Sequence, residues 1–280
     1  MDCDDHFDKT LSDSLKKFTP VYRSANAVIF NGDCLELLAS IPENSIDMIF
    51  ADPPYMLSNG GISCQNGKMV TVNKGKWDKS RGFEDDVQFH NEWISACRRI
   101  LKPEATIWIS GTYHSIYQCG YLLQKNNFHM LNDIAWFKPN AAPNLSCRFF
   151  TASHETLLWA RKEKNAKHTF NYDEMKNGLF PEDKLKKENT QMRSVWSIPG
   201  VKIVEKEYGK HPTQKPLDLL KRIVLASTKE NDIVLDPFCG SGTTGVACGY
   251  YNKRSFIGIE IDTGYCDLAK KRLSQNVIFT

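Results

Sequence analysis

The sequence lacks any run of apolar residues long enough to span a bilayer, which takes about 20 of them in a helix. Its first residues, Met1 to Asp5, lack the basic and apolar regions of a signal peptide. These absences predict a cytoplasmic protein with no membrane partner. A strong excess of one charge is also missing, since the formal net charge is only +3. Local clusters, not total charge, must therefore indicate any nucleic-acid partner.

Patterns typical of metal sites and disulfides are missing as well. The nine cysteines are scattered, with no Cys-x-x-Cys pair and no histidine at metal-ligand spacing. An odd, dispersed set of this kind is typical of reduced thiols and not of a disulfide framework or a zinc site. We therefore expect no bound metal.

What the sequence does contain is an alternation of strand and helix patterns. With 280 residues, 41% of them hydrophobic, it can form one large domain with a sizeable core. Strand patterns occur at 27–30, 45–51, 106–109, 134–137, 155–160, 232–236 and 256–261. Helix patterns occur at 34–38, 89–101, 115–125, 216–228, 243–250 and 265–274. This alternation predicts an α/β fold with a doubly wound, mostly parallel sheet.

Three segments depart from the alternation. Residues 1–25 are polar, and we interpret them as a poorly ordered N-terminal arm. Residues 56–82 are rich in Gly and Asn and are predicted to form a long mobile loop, and residues 161–209 a small inserted lobe. The sheet domain is thereby divided into two halves, residues 26–160 and 210–280.

A glycine-rich turn, Asp236 to Thr244, follows one predicted strand and opens a helix. Its small residues allow a ligand to approach the backbone, and the helix start offers free N–H donors. Taken alone, it is equally consistent with a packing turn, and the third glycine of the dinucleotide fingerprint is missing. The next strand, however, brings Glu260 about twenty positions on, where an acidic residue can bind a ribose diol. Together these features indicate a cofactor that contains a nucleoside.

A second turn, Asp52-Pro53-Pro54-Tyr55, follows the strand pattern at 45–51. Open α/β sheets place their sites at the carboxyl ends of such strands. The prolines stiffen the turn and bring together a carboxylate, a backbone carbonyl and an aromatic ring. This set suits a planar aromatic amine, whose two N–H protons need two acceptors. The alternative is a structural proline turn with a capping Asp52 and a packed Tyr55.

With these two motifs the sequence resembles the β-group of DNA amino-methyltransferases, in which a DPPY-type catalytic motif precedes an FxGxG-type cofactor loop. The likeness covers roughly residues 26–275 and includes the segment Lys210–Pro216. Through Asp52–Gly61, Asn144–Arg148 and Ala226–Glu230 it is similar to N6-adenine methyltransferases of DpnII-like systems. The resemblance implies GATC as the recognition sequence, a bacterial or phage origin, and a catalytic half at 26–160 with a cofactor half at 210–280.

The resemblance also implies S-adenosylmethionine as the cofactor and assigns residues to it. The candidate cofactor-binding residues are Asp33, His211, Thr213, Lys215, Asp236, Phe238, Gly240, Ser241, Gly242, Thr243 and Glu260. Asp236 is expected near the cofactor's amino group, Glu260 at the ribose hydroxyls and Asp33 at the adenine amine. For Lys215 the alternative is a solvated side chain at a helix entry.

The implied reaction is methylation of the exocyclic N6 of adenine in DNA. Asp52 and the Pro53 carbonyl would each accept one amino proton, and Tyr55 would stack on the base. No covalent intermediate is required, and we interpret Cys239, which has no general base nearby in sequence, as a packing residue. Because N6 lies inside the duplex stack, the adenine must be flipped out or already single-stranded.

The partner implied by this reaction is DNA. The candidate DNA-binding residues are Lys68, Lys74, Lys76, Lys79, Arg81 and Arg148. The alternative for residues 56–82 is a solvated connection, and for residues 161–209, the candidate target-recognition segment, a plain surface insertion. A homodimer and a cognate restriction endonuclease are the other expected partners.

Other functions remain open at this stage. The first is N4-cytosine methylation by the same fold, although those enzymes usually have Ser where this chain has Asp52. RNA or a protein glutamine is a second possible substrate, the glutamine enzymes normally having Asn at this position. A third is a nucleic-acid-binding module without activity, against which the intact Asp52, Tyr55, Gly240 and Glu260 argue.

Overall fold

The computed structural model of the chain describes most of its 280 residues. The described ranges are 9–58, 62–65, 68–71, 75–141, 143–145, 147–176, 190–251 and 253–276, with the single residues 180 and 187. No helix within these ranges is long and apolar enough to cross a membrane.

Helices and strands alternate along the described chain. The helices are α1 (Lys9–Leu15), α2 (Cys34–Ser40), α3 (Phe83–Ile100), α4 (Ile116–Lys125), α5 (Tyr172–Lys176), α6 (Leu217–Ser227), α7 (Thr243–Tyr250) and α8 (Thr263–Asn276). The strands are β1 (Pro20–Arg23), β2 (Ala27–Asn31), β3 (Ile46–Ala51), β4 (Ile62–Gln65), β5 (Lys68–Thr71), β6 (Leu101–Gly111), β7 (His129–Phe137), β8 (His154–Arg161), β9 (Val195–Ser197), β10 (Ile233–Asp236) and β11 (Ser255–Glu260). Two short 3-10 helices span Lys76–Asp78 and Ile203–Lys206.

Nine strands form one sheet in the order β1-β2-β11-β10-β3-β6-β8-β7-β9. The neighbours from β2 to β6 are all parallel, as are β7 and β9. The pairs β1–β2, β6–β8 and β7–β8 are antiparallel. Helices α1 to α4 cover one face of the sheet and α6 to α8 the other. This confirms the predicted α/β fold with a doubly wound, mostly parallel sheet.

The centre of the sheet is buried on both faces. Every residue of β10 and β11 is buried, which explains why both strands are near-continuous apolar runs. Leu235 and Ile257 pack with the helices of one face, and Val234 and Phe256 with those of the other. The carboxyl ends of these strands, where the predicted motifs begin, are therefore held in a rigid layer.

Helix α3 begins at Phe83, earlier than the predicted start at residue 89. Its first turn contains the acidic residues 84–86, which interact favourably with a helix N-terminus. The Asp86 carboxylate also accepts hydrogen bonds from the Ser80 hydroxyl and the Arg81 backbone N–H. Apolar spacing could not show this start, because the first turn is polar.

The prediction of a poorly ordered arm over residues 1–25 is wrong for the described part of that segment. Leu11 and Leu15, one helical turn apart on α1, are buried in the core. Strand β1 pairs antiparallel with β2 and forms one edge of the sheet. Two leucines and a four-residue strand carry too weak a periodic signal to stand out from a polar stretch.

The predicted inserted lobe at residues 161–209 is in part a continuation of the sheet. Strand β9 pairs parallel with β7. Trp196 of β9 lies 6.0 Å from the Trp108 ring, which stacks on Trp159 at 4.8 Å between ring centroids. Trp196 of this segment therefore contributes to the core, whereas Phe170, Tyr172 and Tyr208 are exposed and the described residues on either side of β9 lie outside the sheet.

The segment 56–82, predicted as one long loop, contains regular structure. Strands β4 and β5 form a two-stranded antiparallel sheet, and the 3-10 helix Lys76–Asp78 follows it. Each strand has only four residues, and glycines and asparagines surround them in the sequence. The strand pattern is therefore too short to predict from the sequence.

Candidate active site

The predicted motifs meet at one edge of the sheet. Strands β2, β11, β10 and β3 are parallel neighbours, so their carboxyl ends lie side by side. Asp33, Asp52, Phe238, Gly240 and Glu260 line a single cleft at this edge. The structure therefore brings the Asp52 turn and the Gly240 turn together on the same side of the sheet.

The glycine turn after β10 has a backbone that only glycine adopts readily. Gly240 and Gly242 have φ angles of 51° and 74°, in the left-handed region that a Cβ disfavours. A Cβ built on Gly240 would lie 3.1 Å from His211 Nε2, and one on Gly242 would lie 3.0 Å from the Ala269 Cβ. Gly240 thus leaves space beside the cleft that a side chain would fill, which fits close approach of a ligand to the backbone, whereas Gly242 allows close packing against α8.

Arg272 of α8 supports this turn from beneath. Its guanidinium donates hydrogen bonds to the Ser241 backbone carbonyl at 2.7 Å, and to the Ser241 and Thr243 hydroxyls at 2.8 Å each. The Arg272 side chain is buried with these acceptors, so their interaction is strengthened by exclusion of water. Sequence reasoning missed Arg272, because nothing in the pattern of α8 distinguishes it from a solvated arginine.

Two acidic residues line the cleft beside the turn. The Glu260 carboxylate accepts hydrogen bonds from the backbone N–H groups of Gly240 and Asp262, each at 2.8 Å. Burial raises the pKa of Glu260, and these two hydrogen bonds oppose that shift. Asp33 caps α2, its Oδ1 accepting from two N–H groups of the first turn. Both carboxylates fit a ligand rich in donor groups, such as ribose hydroxyls and an amine.

Asp236 ends β10 in a buried position. Its carboxylate accepts from the Phe238 backbone N–H at 3.0 Å and from the Thr244 hydroxyl at 2.5 Å. Burial raises the pKa of Asp236 to about 7, so it titrates near neutral pH. Phe238 packs edge-on against Trp93 at 5.4 Å and lines the cleft. The role of Asp236 near the cofactor's amino group stays a prediction.

Aromatic rings from three segments form another wall of the cleft. His211 stacks on Trp77 with ring centroids 6.1 Å apart, and Tyr265 meets it edge-on at 4.1 Å. Trp77, His211 and Thr213 all line the cleft. Trp77 was not predicted; the available signal was a lone tryptophan in a segment of glycines, asparagines and lysines.

The backbone after Asp52 is held by a carboxylate from a distant part of the chain. Asp78 accepts hydrogen bonds from the backbone N–H groups of Tyr55, Met56 and Leu57 and from the Ser58 hydroxyl, at 2.8 to 3.2 Å. Asp78 is 1% exposed, so it acts as an internal scaffold for the turn. Sequence reasoning did not single out Asp78.

Asp52 is held by two side chains. Its Oδ1 accepts from the Tyr55 hydroxyl at 2.6 Å, and its Oδ2 from Lys215 Nζ at 2.5 Å. The Lys215 ammonium also lies over the Tyr55 ring, 5.2 Å from its centroid. The stacking role predicted for Tyr55 needs an open ring face, but in this structure the residue is only 6% exposed. Lys215, assigned to the cofactor from sequence, contacts the Asp52 carboxylate directly.

A second, partly buried carboxylate completes this group. Glu155 of β8 lies 3.2 Å from the Tyr55 hydroxyl and 3.8 Å from Lys215 Nζ, both through Oε2. Its Oε1 accepts from Lys138 Nζ, and the Ser110 hydroxyl lies 3.3 Å from the Tyr55 hydroxyl. Sequence reasoning missed Glu155 and Lys138; the only signal was a pair of opposite charges at the ends of two predicted strands.

Burial and charge act against each other in this group. Burial lowers the pKa of Lys215, but the Asp52 and Glu155 carboxylates outweigh it and raise the pKa above its ordinary value. Burial would raise the pKa of Glu155, yet the ammonium groups of Lys215 and Lys138 lower it. Burial raises the pKa of Asp52, and Lys215 opposes that rise. Two carboxylates and two ammonium groups thus balance each other's charge in a site that is largely shielded from water.

The candidate DNA-binding residues are only partly described. Lys74 lies outside the described residues, and the side chains of Lys68 and Lys76 are likewise outside them. Lys79, Arg81 and Arg148 are exposed, and Arg81 lines the cleft. Exposed positive charge beside the cleft is consistent with phosphate contacts, which stay a prediction.

Cys239 lies within the glycine turn but is a packing residue. Its side chain belongs to the core beneath α6 and α7. Burial raises the pKa of the Cys239 thiol well above its usual range, so no reactive thiolate forms at neutral pH. This agrees with the interpretation from sequence.

Comparison with known proteins identifies the family. The sequence profile described as DNA methylase matches residues 46–271, most of the 280-residue chain. The chain belongs to the DNA methylase family. This DNA methylase is accordingly an S-adenosylmethionine-dependent methyltransferase that acts on DNA.

Several characterised proteins are similar to this DNA methylase over nearly their whole length. The Type II methyltransferase M2.LlaDCHI of Lactococcus lactis subsp. cremoris is 50% identical over 93% of this chain and 94% of its own. The Type II methyltransferase M2.DpnII of Streptococcus pneumoniae is 50% identical over 91% and 92%. M2.MboI of Moraxella bovis, also a Type II methyltransferase, is 49% identical over 88% and 87%.

Solved structures agree with this assignment. The crystal structure of the M1.HpyAVI–SAM complex superposes with a TM-score of 0.62 at 29% identity, covering 88% of this chain and 98% of the other. The PvuII DNA methyltransferase, described as cytosine-N4-specific, has a TM-score of 0.70 at 20% identity, covering 91% of this chain and 89% of the other. At that identity, the second likeness shows a shared fold alone.

Proposed function

We propose that this DNA methylase transfers the methyl group to N6 of adenine, in the sequence GATC, as part of a restriction–modification system. The observation that carries the proposal is the aspartate at position 52, whose carboxylate lies on the same cleft as the Gly240 turn. A carboxylate is a good acceptor for the amino protons of adenine. The similarity to three Type II methyltransferases supports the restriction–modification role.

The chemistry required of the protein is mainly alignment and electrostatics. S-adenosylmethionine supplies a methyl group that is already activated, so no covalent enzyme intermediate is needed. Asp52 and the Pro53 carbonyl each accept one amino proton and orient the nitrogen lone pair. The Asp78 carboxylate holds the backbone that follows, which keeps these acceptors in one geometry. A stacking role for Tyr55 belongs to this proposal and requires its ring to be uncovered.

DNA must present the adenine outside the duplex stack. Flipping costs a few kcal/mol, which phosphate contacts can offset. Lys79 and Arg81 precede α3 and are exposed, and Arg81 lines the cleft, so we assign them to the DNA backbone. Single-stranded DNA would avoid the cost of flipping altogether.

Nucleoside analysis tests this proposal. The protein is incubated with methyl-labelled S-adenosylmethionine and a GATC oligonucleotide, single- or double-stranded, and with a matched oligonucleotide in which the central adenine is replaced. We expect N6-methyladenine in the GATC oligonucleotide alone. N4-methylcytosine in the product would show that cytosine and not adenine is the target, and absence of label from DNA would overturn the function.

The partners are tested separately. A homodimer and a cognate restriction endonuclease belong to this proposal. Light scattering of the purified protein measures the first, with a mass of about 64 kDa expected for two 31.9 kDa chains. For the second, DNA treated with the protein should resist a GATC-cleaving endonuclease that adenine methylation blocks, and complete cleavage would contradict the protective role.

A further inference from the structure

The acceptor oxygens of Asp52 already have close donors in this structure. The Tyr55 hydroxyl lies 2.6 Å from Oδ1, and Lys215 Nζ lies 2.5 Å from Oδ2. Both are short hydrogen bonds to a carboxylate, and one of the donors carries a full charge. A neutral amino group that binds Asp52 must compete with them.

A displaced donor needs another acceptor, because water is scarce around it. Tyr55 and Lys215 are each 6% exposed, and a buried ammonium without a partner is costly. Glu155 Oε2 lies 3.2 Å from the Tyr55 hydroxyl and 3.8 Å from Lys215 Nζ. One oxygen atom of Glu155 is therefore within reach of both groups that occupy Asp52.

Glu155 is itself held in place from the other side. Lys138, just after β7, contacts its Oε1, and the Lys138 ammonium lies 4.6 Å from the Trp136 ring centroid. Strands β7 and β8 remain paired up to the end of β7, where His154 lies opposite Phe137. Oε1 is thus anchored while Oε2 faces the Asp52 side.

We propose that Glu155 is a positioning residue. When Asp52 accepts a hydrogen bond from the amino group of the target base, Glu155 Oε2 accepts the hydrogen bonds of the Tyr55 hydroxyl and the Lys215 ammonium in its place. The inference rests on the proposed function, since it needs an amine as the incoming donor. Only hydrogen bonds are exchanged, so no proton or electron is gained or lost. Lys138 keeps Glu155 charged and its Oε2 available.

The first test removes the charge of Glu155 without changing its size. Glu155→Gln should lower kcat by about 10- to 100-fold, the usual effect of leaving a buried charged donor poorly paired, and should leave S-adenosylmethionine binding within about twofold. The matched control is Glu163→Gln. Glu163 lies two residues after β8 and pairs with Arg98, so this variant removes the same charge and should keep wild-type kcat. Unchanged kcat in Glu155→Gln would overturn the inference.

The second test uses a readout that a purely structural role would not move. Lys138→Met removes one of the two cations that hold Glu155 ionised, so the pKa of Glu155 rises and more of it is protonated at a given pH. The acidic limb of the kcat–pH profile should therefore move to higher pH by about one unit. The titratable groups that face Glu155 are Asp52, Tyr55, Lys138 and Lys215. Of the carboxylates of Asp52 and Glu155, Lys138 contacts that of Glu155.

The double variant decides whether the shift belongs to Glu155. In Lys138→Met/Glu155→Gln no carboxyl titrates at position 155, so the limb should lie where it lies in Glu155→Gln alone. A shift that persists in the double variant would assign the limb to another group and contradict the inference. Should Glu155→Gln fail to fold, as judged by thermal unfolding, the Lys138→Met profile alone still tests the idea, since an unmoved limb rejects it.

This test remains distinct from that of the proposed function. If wild-type protein methylated cytosine N4, the choice of base would be wrong, yet the incoming group would still be an amine and the Glu155 variants would still test the exchange. If wild-type protein methylated adenine N6 and both Glu155 variants kept wild-type kinetics, only the inference would fail.

Discussion

The two sides of the cleft are built in different ways. On the side proposed for the cofactor, the candidate residues from Asp236 to Glu260 come from two adjacent strands and the turn between β10 and α7, and the geometry there is set largely by the backbone. On the Asp52 side, charged groups converge from separate parts of the chain, with Lys138, Glu155 and Lys215 meeting around Tyr55. Backbone conformation therefore determines the first side of the cleft, and interactions between charged side chains determine the second.

This difference predicts how each side should fail. Adding atoms to the glycine turn should weaken cofactor binding and leave the chemistry nearly intact. Changing a charge near Asp52 should slow the chemistry and leave cofactor binding nearly intact. Variants from the two sides therefore separate Kd for S-adenosylmethionine from kcat.

The largest effect is expected for Asp52→Ala. Loss of the acceptor that orients the amine should lower kcat by about 1,000-fold, within the usual range for a residue that handles a reacting proton, with cofactor Kd nearly unchanged by calorimetry. Asp133→Ala, an exposed aspartate on β7, is the control and should retain activity. Equal loss of cofactor binding and turnover in Asp52→Ala would contradict the separate roles of the two sides of the cleft.

Arg272→Met should have the next largest effect, and on stability. It leaves the Ser241 carbonyl and two hydroxyls without their buried donor, which should cost about 3 kcal/mol of unfolding free energy in denaturant titrations. Lys271→Met, the exposed neighbour on the same helix, should cost almost nothing. If both variants unfolded at the same denaturant concentration, Arg272 would not support the turn.

A smaller effect is expected for Gly240→Ala. The added methyl group lies against His211 at a φ of 51° and takes up space in the cleft, so it should raise the Kd for S-adenosylmethionine about tenfold, or about 1.4 kcal/mol. At saturating cofactor, kcat should change little. The control is Gly120→Ala, whose Cβ would meet Leu158 Cδ1 at an ordinary 3.4 Å in α4. A fall in kcat without a change in Kd would contradict the division of roles.

The smallest effect is expected on DNA binding. Lys79→Ala should reduce the slope of log K against log salt by about 1, as expected for the loss of one phosphate contact. Lys253, which precedes β11 at the opposite edge of the sheet and pairs with Glu230, provides the control. If the Lys79→Ala slope equalled that of wild type, the DNA surface would lie elsewhere.

The same division explains what could be predicted from the sequence. The glycine turn, Glu260 and Asp52–Tyr55 are short motifs at strand ends, so local spacing places them at one edge of a parallel sheet. The core strands were also predictable, since β10 and β11 are buried on both faces and are nearly continuous apolar runs. The weaker N-terminal elements were not, because α1 carries only two buried leucines.

The supporting residues could not be predicted for a physical reason. Asp78, Glu155 and Arg272 are charged side chains that sequence patterns assign to the surface, and their burial depends on partners brought near only by folding. Lys215 was predicted near the cofactor, and its contact with Asp52 joins positions separated by 163 residues. Charge networks of this kind leave no periodic signal.

A crystal structure with S-adenosylhomocysteine and a GATC duplex would show whether Asp52 binds the amino group of the target base. We expect an adenine outside the duplex stack, with its amino nitrogen within hydrogen-bond distance of the Asp52 carboxylate and the Pro53 carbonyl. An amino group bound elsewhere in the cleft, with Asp52 still held only by Tyr55 and Lys215, would contradict it.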